Sequence, residues 1–154
     1  MSHTDFLTRK VVTMLTKSLW AYHLNTGSCN GCDMEIMSTL TPRYDIERLG
    51  IVLKGTPRHA DVLLVTGPVS RLMKEKVKRI YAQMPWPKFV FAIGTCTSTG
   101  APYQECYNQC GGLDQVIPAD MYIPGCPPRP EAIIQGIYKF VKQMWKTVGI
   151  IPET

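Results

Sequence analysis

Three extended runs in this chain lead straight into glycine turns that carry cysteine. Leu19–Leu24 leads into Thr26-Gly27-Ser28-Cys29-Asn30-Gly31-Cys32-Asp33, Lys88–Ile93 into Gly94-Thr95-Cys96, and Asp120–Ile123 into Pro124-Gly125-Cys126-Pro127-Pro128. A further run, Asp61–Thr66, is continuous in β-formers and closes on Gly67-Pro68, which marks a buried strand. Ile51–Leu53 adds another, shorter one. Helical patterns fill the intervals: Asp33 to Leu40, stopping near Thr41-Pro42; Val69 to Gln83; and Arg129 to about Val148, with Pro130 in its first turn. Strands alternating with helices predict an α/β fold, a mostly parallel, doubly wound sheet with helices on both faces.

The last helix has an apolar stripe of Ile133, Ile134, Ile137, Tyr138, Val141, Met144, Trp145 and Val148, which packing across the sheet explains. Lys139, Lys142 and Lys146 mark its wet side. A weaker amphipathic pattern, with Leu7, Val11, Met14 and Leu15 on one face, predicts a helix from Thr4 to Leu19. The chain thus divides into an N-terminal amphipathic segment, 1–18, and one α/β domain, 19–150.

A chain of 154 residues, 45% hydrophobic and 19% charged, is long enough for one domain with a real core. Its net charge of +5 is too small to argue for a nucleic-acid partner. The lysines around Lys74, Lys76 and Lys78 alternate with apolar positions, as on a solvated helix face. No signal-peptide pattern is visible, and no uninterrupted apolar stretch reaches the roughly 20 residues needed to cross a bilayer. A cytoplasmic setting is expected, where six cysteines point to metal before disulfides.

Ligands of open α/β sheets bind beyond the carboxyl ends of the strands. Cys29, Cys32, Cys96 and Cys126 all fall there and can meet on one rim. Cys32 and Cys126 also precede predicted helices, whose free N–H groups would stabilise thiolates. Gly31, Gly94 and Gly125 would let backbone approach the sulfurs closely. One C-x-x-C pair with two isolated cysteines favours a single [4Fe–4S] cluster. Zinc is the rival, although structural zinc sites usually bring two closely spaced ligand pairs.

The segments Cys29-Asn30-Gly31-Cys32-Asp33, Gly94-Thr95-Cys96 and Pro124-Gly125-Cys126-Pro127-Pro128-Arg129-Pro130 resemble the small-subunit family shared by complex I (its 20-kilodalton subunit) and membrane-bound energy-converting [NiFe] hydrogenases. The likeness runs from about Ser18 to Ile137. It implies a flavodoxin-like domain holding one [4Fe–4S] cluster on Cys29, Cys32, Cys96 and Cys126, beside a large catalytic subunit. It also implies a ferredoxin-like iron–sulfur subunit and membrane-embedded subunits as further partners, on the cytoplasmic side of the cell membrane. The complex I branch typically carries two adjacent cysteines at the first station. The C-x-x-C spacing here resembles the hydrogenase-like branch and its sulfur-reducing relatives.

By the same resemblance Glu35, three residues past Cys32, is a candidate for proton handling, although a helix-start carboxylate explains it too. Arg129 could donate a hydrogen bond to a cluster sulfur or simply begin a helix in solvent. His23 reads as packing rather than ligation. Cys106 and Cys110, at i, i+4 spacing beside Gly111-Gly112, read as ordinary packing outside the site. The expected function is outer-sphere electron relay in an oxidoreductase complex coupled to ion translocation. The alternatives are a nickel-free quinone or sulfur reductase subunit, a zinc-stabilised assembly scaffold, and a free-standing ferredoxin-like carrier.

Overall fold

The computed structural model describes residues 18–148, with side chains as far as 144. The predicted helix over Thr4–Leu19 lies outside the described residues except at its last two positions. Leu19 itself begins a strand, because the backbone N–H of Trp20 donates to the Asp61 carboxylate (3.2 Å) and that of Leu19 to the Gly50 carbonyl (2.8 Å). Five strands form, β1 Leu19–Asn25, β2 Ile51–Leu53, β3 Val62–Thr66, β4 Phe89–Ile93 and β5 Met121–Ile123. All pair in parallel in the order β2-β1-β3-β4-β5. Among the described residues four α-helices accompany them, α1 Gly31–Thr39, α2 Arg71–Gln83, α3 Thr95–Thr99 and α4 Pro130–Val148. This is the doubly wound arrangement expected, with the reversal of strand order between β1 and β3.

The central strand shows why the sheet is covered twice. Every residue of β3 is buried, and its side chains alternate between two cores. Val62 and Leu64 join Phe91, Ile93 and Ile123 against Ile36 of α1 and Ile133 and Ile137 of α4. Leu63 and Val65 join Val90 and Leu24 against Val77 of α2, with Leu113 and Ile117. Phe140 of α4 closes the first core edge-on to Phe91, their ring centroids 4.8 Å apart. The stripe predicted on α4 is therefore buried at Ile133 and Ile137 but not throughout. Tyr138 is exposed, since it lies beside an open groove instead of the sheet.

Two features were not legible as elements. The helix α3 is only five residues long, and the 3-10 turn Ile46–Leu49 links α1 to β2. Both shape the rim described next.

Candidate metal centre

Parallel strands put all their carboxyl ends on one edge, and the four cysteines sit there. Cys29 lies in the loop after β1, Cys32 is the second residue of α1, Cys96 the second residue of α3, and Cys126 follows β5 by three residues. Cys96 thus also opens a helix, which the sequence pattern had not indicated. Cys29 and Cys126 are exposed, Cys32 and Cys96 half-buried, and all four are free thiols.

Backbone close to sulfur is what brings these stations together. Gly94 joins β4 to α3 with a φ of 94°, and a Cβ there would stand 2.7 Å from the Cys32 sulfur. Only glycine lets the β4 turn accept that sulfur. Gly31 needs no such freedom: a Cβ would meet the Cys29 sulfur at an ordinary 3.5 Å, and the left-handed residue in the turn is Asn30, with φ 68°. Cys126 lies near enough to Cys96 to act on its thiol. Thr95 stitches their two loops together. Its N–H donates to the Gly125 carbonyl (2.9 Å), its hydroxyl donates to the same oxygen (3.2 Å), and the Gly125 N–H reaches back to that hydroxyl (3.4 Å).

The first station is braced from the side where strand order reverses. The Asn25 carbonyl oxygen accepts the N–H groups of Gly27 and Ser28, each at 2.9 Å. Its amide donates to Asp33 (2.6 Å) and Asn30 (3.2 Å), so one side chain spans the whole C-x-x-C turn. Asp33 also accepts from the Thr66 hydroxyl and sits 2.8 Å from His23 Nε2. His23 is accordingly half-buried in a polar network bridging β1 and β3, where sequence reading expected packing. On the β3 side, Gly67 (φ 83°) leaves room for the Ser28 backbone, which any Cβ would strike. We predict that Asn25→Ala lowers stability by about 1–3 kcal/mol, counting its two part-buried bonds, to Asp33 and from Ser28, at net values of about 0.5–1.5 kcal/mol each, read as a shifted denaturant midpoint.

The thiols feel one another. Burial, then the nearby charges of Cys29, Cys96, Asp33 and Cys126, pushes the Cys32 thiol from its ordinary 9.0 up to about 11. Burial and the charges of Cys126 and Cys29 also push Cys96 up. A thiol acid that holds its proton more tightly when folded contributes stability that is complete below pH 9 and gone above about 11. The melting temperature of the metal-free chain should therefore fall from pH 9 to 11, less steeply in Cys32→Ser. Thermal melts in that range check the sign.

Four thiols from three strand ends are the donor set that an iron–sulfur cluster takes, each sulfur binding a different iron. Among the described residues, no three His, Cys, Asp or Glu side chains close on a single metal ion.

The other sequence candidates fall elsewhere on this face or off it. Glu35 is half-buried on α1, near enough for its charge to act on Tyr44. Arg129 is exposed, and its side chain forms no hydrogen bond or ion pair among the described residues; its charge acts on Glu131. Cys106 is exposed in a run of turns rather than on a helix. Cys110 is partly buried against the α2-side core, its N–H donating to the Val69 carbonyl at 2.8 Å. Asn25 and Thr95 are the residues that sequence reading missed. Asn25 at a strand end two residues before glycine was the one available signal.

Known proteins with this pattern are oxidoreductase subunits. Residues 29–140 match the family model described as NADH ubiquinone oxidoreductase, 20 Kd subunit. A probable membrane-bound hydrogenase subunit, mbhJ, of Pyrococcus furiosus is 51% identical over 88% of this chain and 82% of its own length. An NADH-quinone oxidoreductase subunit of Amoebophilus asiaticus is 44% identical over 73% of this chain and 71% of its own. Among solved structures, a chain of the membrane-bound sulfane sulfur reductase, an archaeal respiratory membrane complex, superposes with a TM-score of 0.79 at 37% identity, covering 90% of this chain and 76% of that one. No helix among the described residues is long and apolar enough to cross a membrane. With its four rim cysteines and these relatives, the chain belongs to the family of the complex I 20-kilodalton subunit, in its membrane-bound hydrogenase and complex I-like setting.

Proposed function

We propose that this chain is the electron-transfer subunit of a membrane-bound, energy-converting [NiFe] hydrogenase. In this reading Cys29, Cys32, Cys96 and Cys126 hold one [4Fe–4S] cluster beside the large catalytic subunit, on the cytoplasmic face. Further partners are a ferredoxin-like iron–sulfur subunit and membrane-embedded subunits through which electron flow is coupled to ion translocation. The convergence of four thiols on one rim is the observation that carries the proposal. The cluster, when bound, supplies one-electron redox chemistry.

The protein's own part is to bind, orient and shield. Asn25 and Thr95 fix the two halves of the thiol set. Gly94 seats the Cys32 sulfur against backbone. At Cys96 the backbone N–H in the first turn of α3 favours the thiolate, against the larger upward push of burial and the neighbouring thiols. Fixed N–H donors and glycine walls keep reorganisation small during transfer. Met34 and Met37 are 69% and 53% exposed on α1, next to Cys32, and offer an adaptable apolar surface to the large subunit. Glu35 on the same helix is placed for proton handling at that boundary. Glu35→Gln with unaltered proton-coupled turnover would remove its role.

A nickel-free sulfur or quinone reductase is the second reading, favoured by the likeness to the sulfane sulfur reductase chain. Metal analysis separates the readings in the complex purified anaerobically through a tag on this chain. Iron with stoichiometric nickel supports the hydrogenase. Iron without nickel keeps the cluster and moves the activity to the second reading. Zinc without iron refutes electron transfer and leaves an assembly scaffold.

A further inference from the structure

A groove of about 860 Å³ runs between the 3-10 turn Ile46–Leu49 and the first turns of α4. Arg43, Arg48 and Arg129 line it, and no salt bridge among the described residues uses any of them. Its one carboxylate, Glu131, accepts a hydrogen bond from the Tyr44 hydroxyl at 2.9 Å. Arg43 rests near the Tyr44 ring, 5.6 Å from its centroid, so its guanidinium is held at the wall. Through Leu49, Ile134 and Tyr138 the groove continues into an apolar trough of about 170 Å³ that ends against Leu19 and Val141.

We propose that this groove receives an acidic segment of a partner subunit, its carboxylates on Arg43, Arg48 and Arg129 and one large apolar side chain in the trough. Arg43 and Arg48 from one side and Arg129 from the other face a groove whose one carboxylate is Glu131, and an occupant carrying negative charge balances the excess. Arginine rather than lysine at all three positions suits planar, two-point recognition of carboxylates. Trough size decides between a peptide and a lipid. A cavity of about 150 Å³ takes one benzene ring, so this trough seats a single leucine- or phenylalanine-sized group and not an acyl chain. Arg129 lies three residues past Cys126, so the segment would also lie alongside the cluster loop. The proposal needs the chain to be part of a multi-subunit complex, but not that it holds iron.

The test places the photocrosslinker p-benzoylphenylalanine at Tyr138 in the intact, detergent-purified complex, with the crosslinked peptide mapped by mass spectrometry. The expected product joins Tyr138's position to another subunit, at a segment with two or more Asp or Glu residues flanking a large apolar one. Its yield should fall at least tenfold in R43E/R48E and only partly in R43K/R48K. Iron content should match the parent complex in both variants, since neither arginine touches the thiol set. Crosslinks to lipid, to residues 1–17 of this chain or to a segment without carboxylates would overturn the proposal. So would an absent crosslink, or a yield that survives charge reversal. An iron-free parent complex with the expected crosslink would sink the cluster assignment and leave the groove's role standing.

Discussion

Replacing Cys32 with alanine is expected to remove from the intact complex the one iron–sulfur signal proposed for this chain, leaving that of the ferredoxin-like subunit, while Cys106→Ala leaves both at the parent level. The contrast follows from position. Cys32 lies against Gly94 with Cys29, Cys96 and Cys126 acting on it, whereas Cys106 is exposed in turns and is not among the groups that act on Cys32. Three remaining thiols leave one iron without a protein ligand. Binding of a metal centre and folding of its site are one free-energy balance, so the loss should also reduce the chain's retention in the complex. Low-temperature electron paramagnetic resonance and iron content per complex read the first effect, and subunit stoichiometry reads the second. A full-strength signal in Cys32→Ala would show that the cluster, if present, uses other ligands.

Phe91→Ala should be the most destabilising single substitution in the domain, at about 3–5 kcal/mol. Phe91 is fully buried at the centre of the α4-side core, edge-on to Phe140 and packed in the same layer as Leu64 and Ile123. Truncation opens a cavity between sheet and helix that strands paired on both sides cannot collapse to fill. A domain of this size loses about 2–4 °C of melting temperature per kcal/mol, so a drop of about 10 °C is expected by calorimetry. Met37→Ala, on the exposed face of α1, should move it little. Comparable shifts for both would mean that the sheet and α4 do not form the main core.

These expectations rest on features of differing legibility. β3 and β4 were readable because a strand covered on both faces must be apolar without interruption, and glycine marks where each turns. The doubly wound topology followed from alternation alone. Leu19 was ambiguous, since an apolar residue at the end of a helical stripe can equally begin a strand; the Asp61 carboxylate, far along the chain, settles it. Helix α3 was not readable. Thr95-Cys96-Thr97-Ser98-Thr99 is a poor helix former, and the hydroxyls of Thr97, Ser98 and Thr99 return to carbonyls four residues back.

At the candidate site the cysteines stood out through the glycine turns beside them, although only Gly94 is required by close approach to a sulfur; Gly125 (φ 147°) makes room for Pro128 instead. Their supports did not stand out. Thr95 acts on Gly125 across the fold, while Asn25 reaches over the C-x-x-C turn to Asp33, and neither partner is marked by a local sequence pattern. The arginine groove was hidden for the same reason, Arg43 and Arg48 coming from one connection and Arg129 from another.

The order in which the rim closes has a consequence for how such a subunit is made. Cys29 and Cys126 come from nearly opposite ends of the described chain, and the last station is pinned only when Thr95 grips Gly125 beside a docked β5. A nascent or misfolded molecule can offer a pair of thiols but never the full quartet. A cluster on these four thiols would be held only by molecules that have finished their sheet, which would make the rim an inspection point during biogenesis.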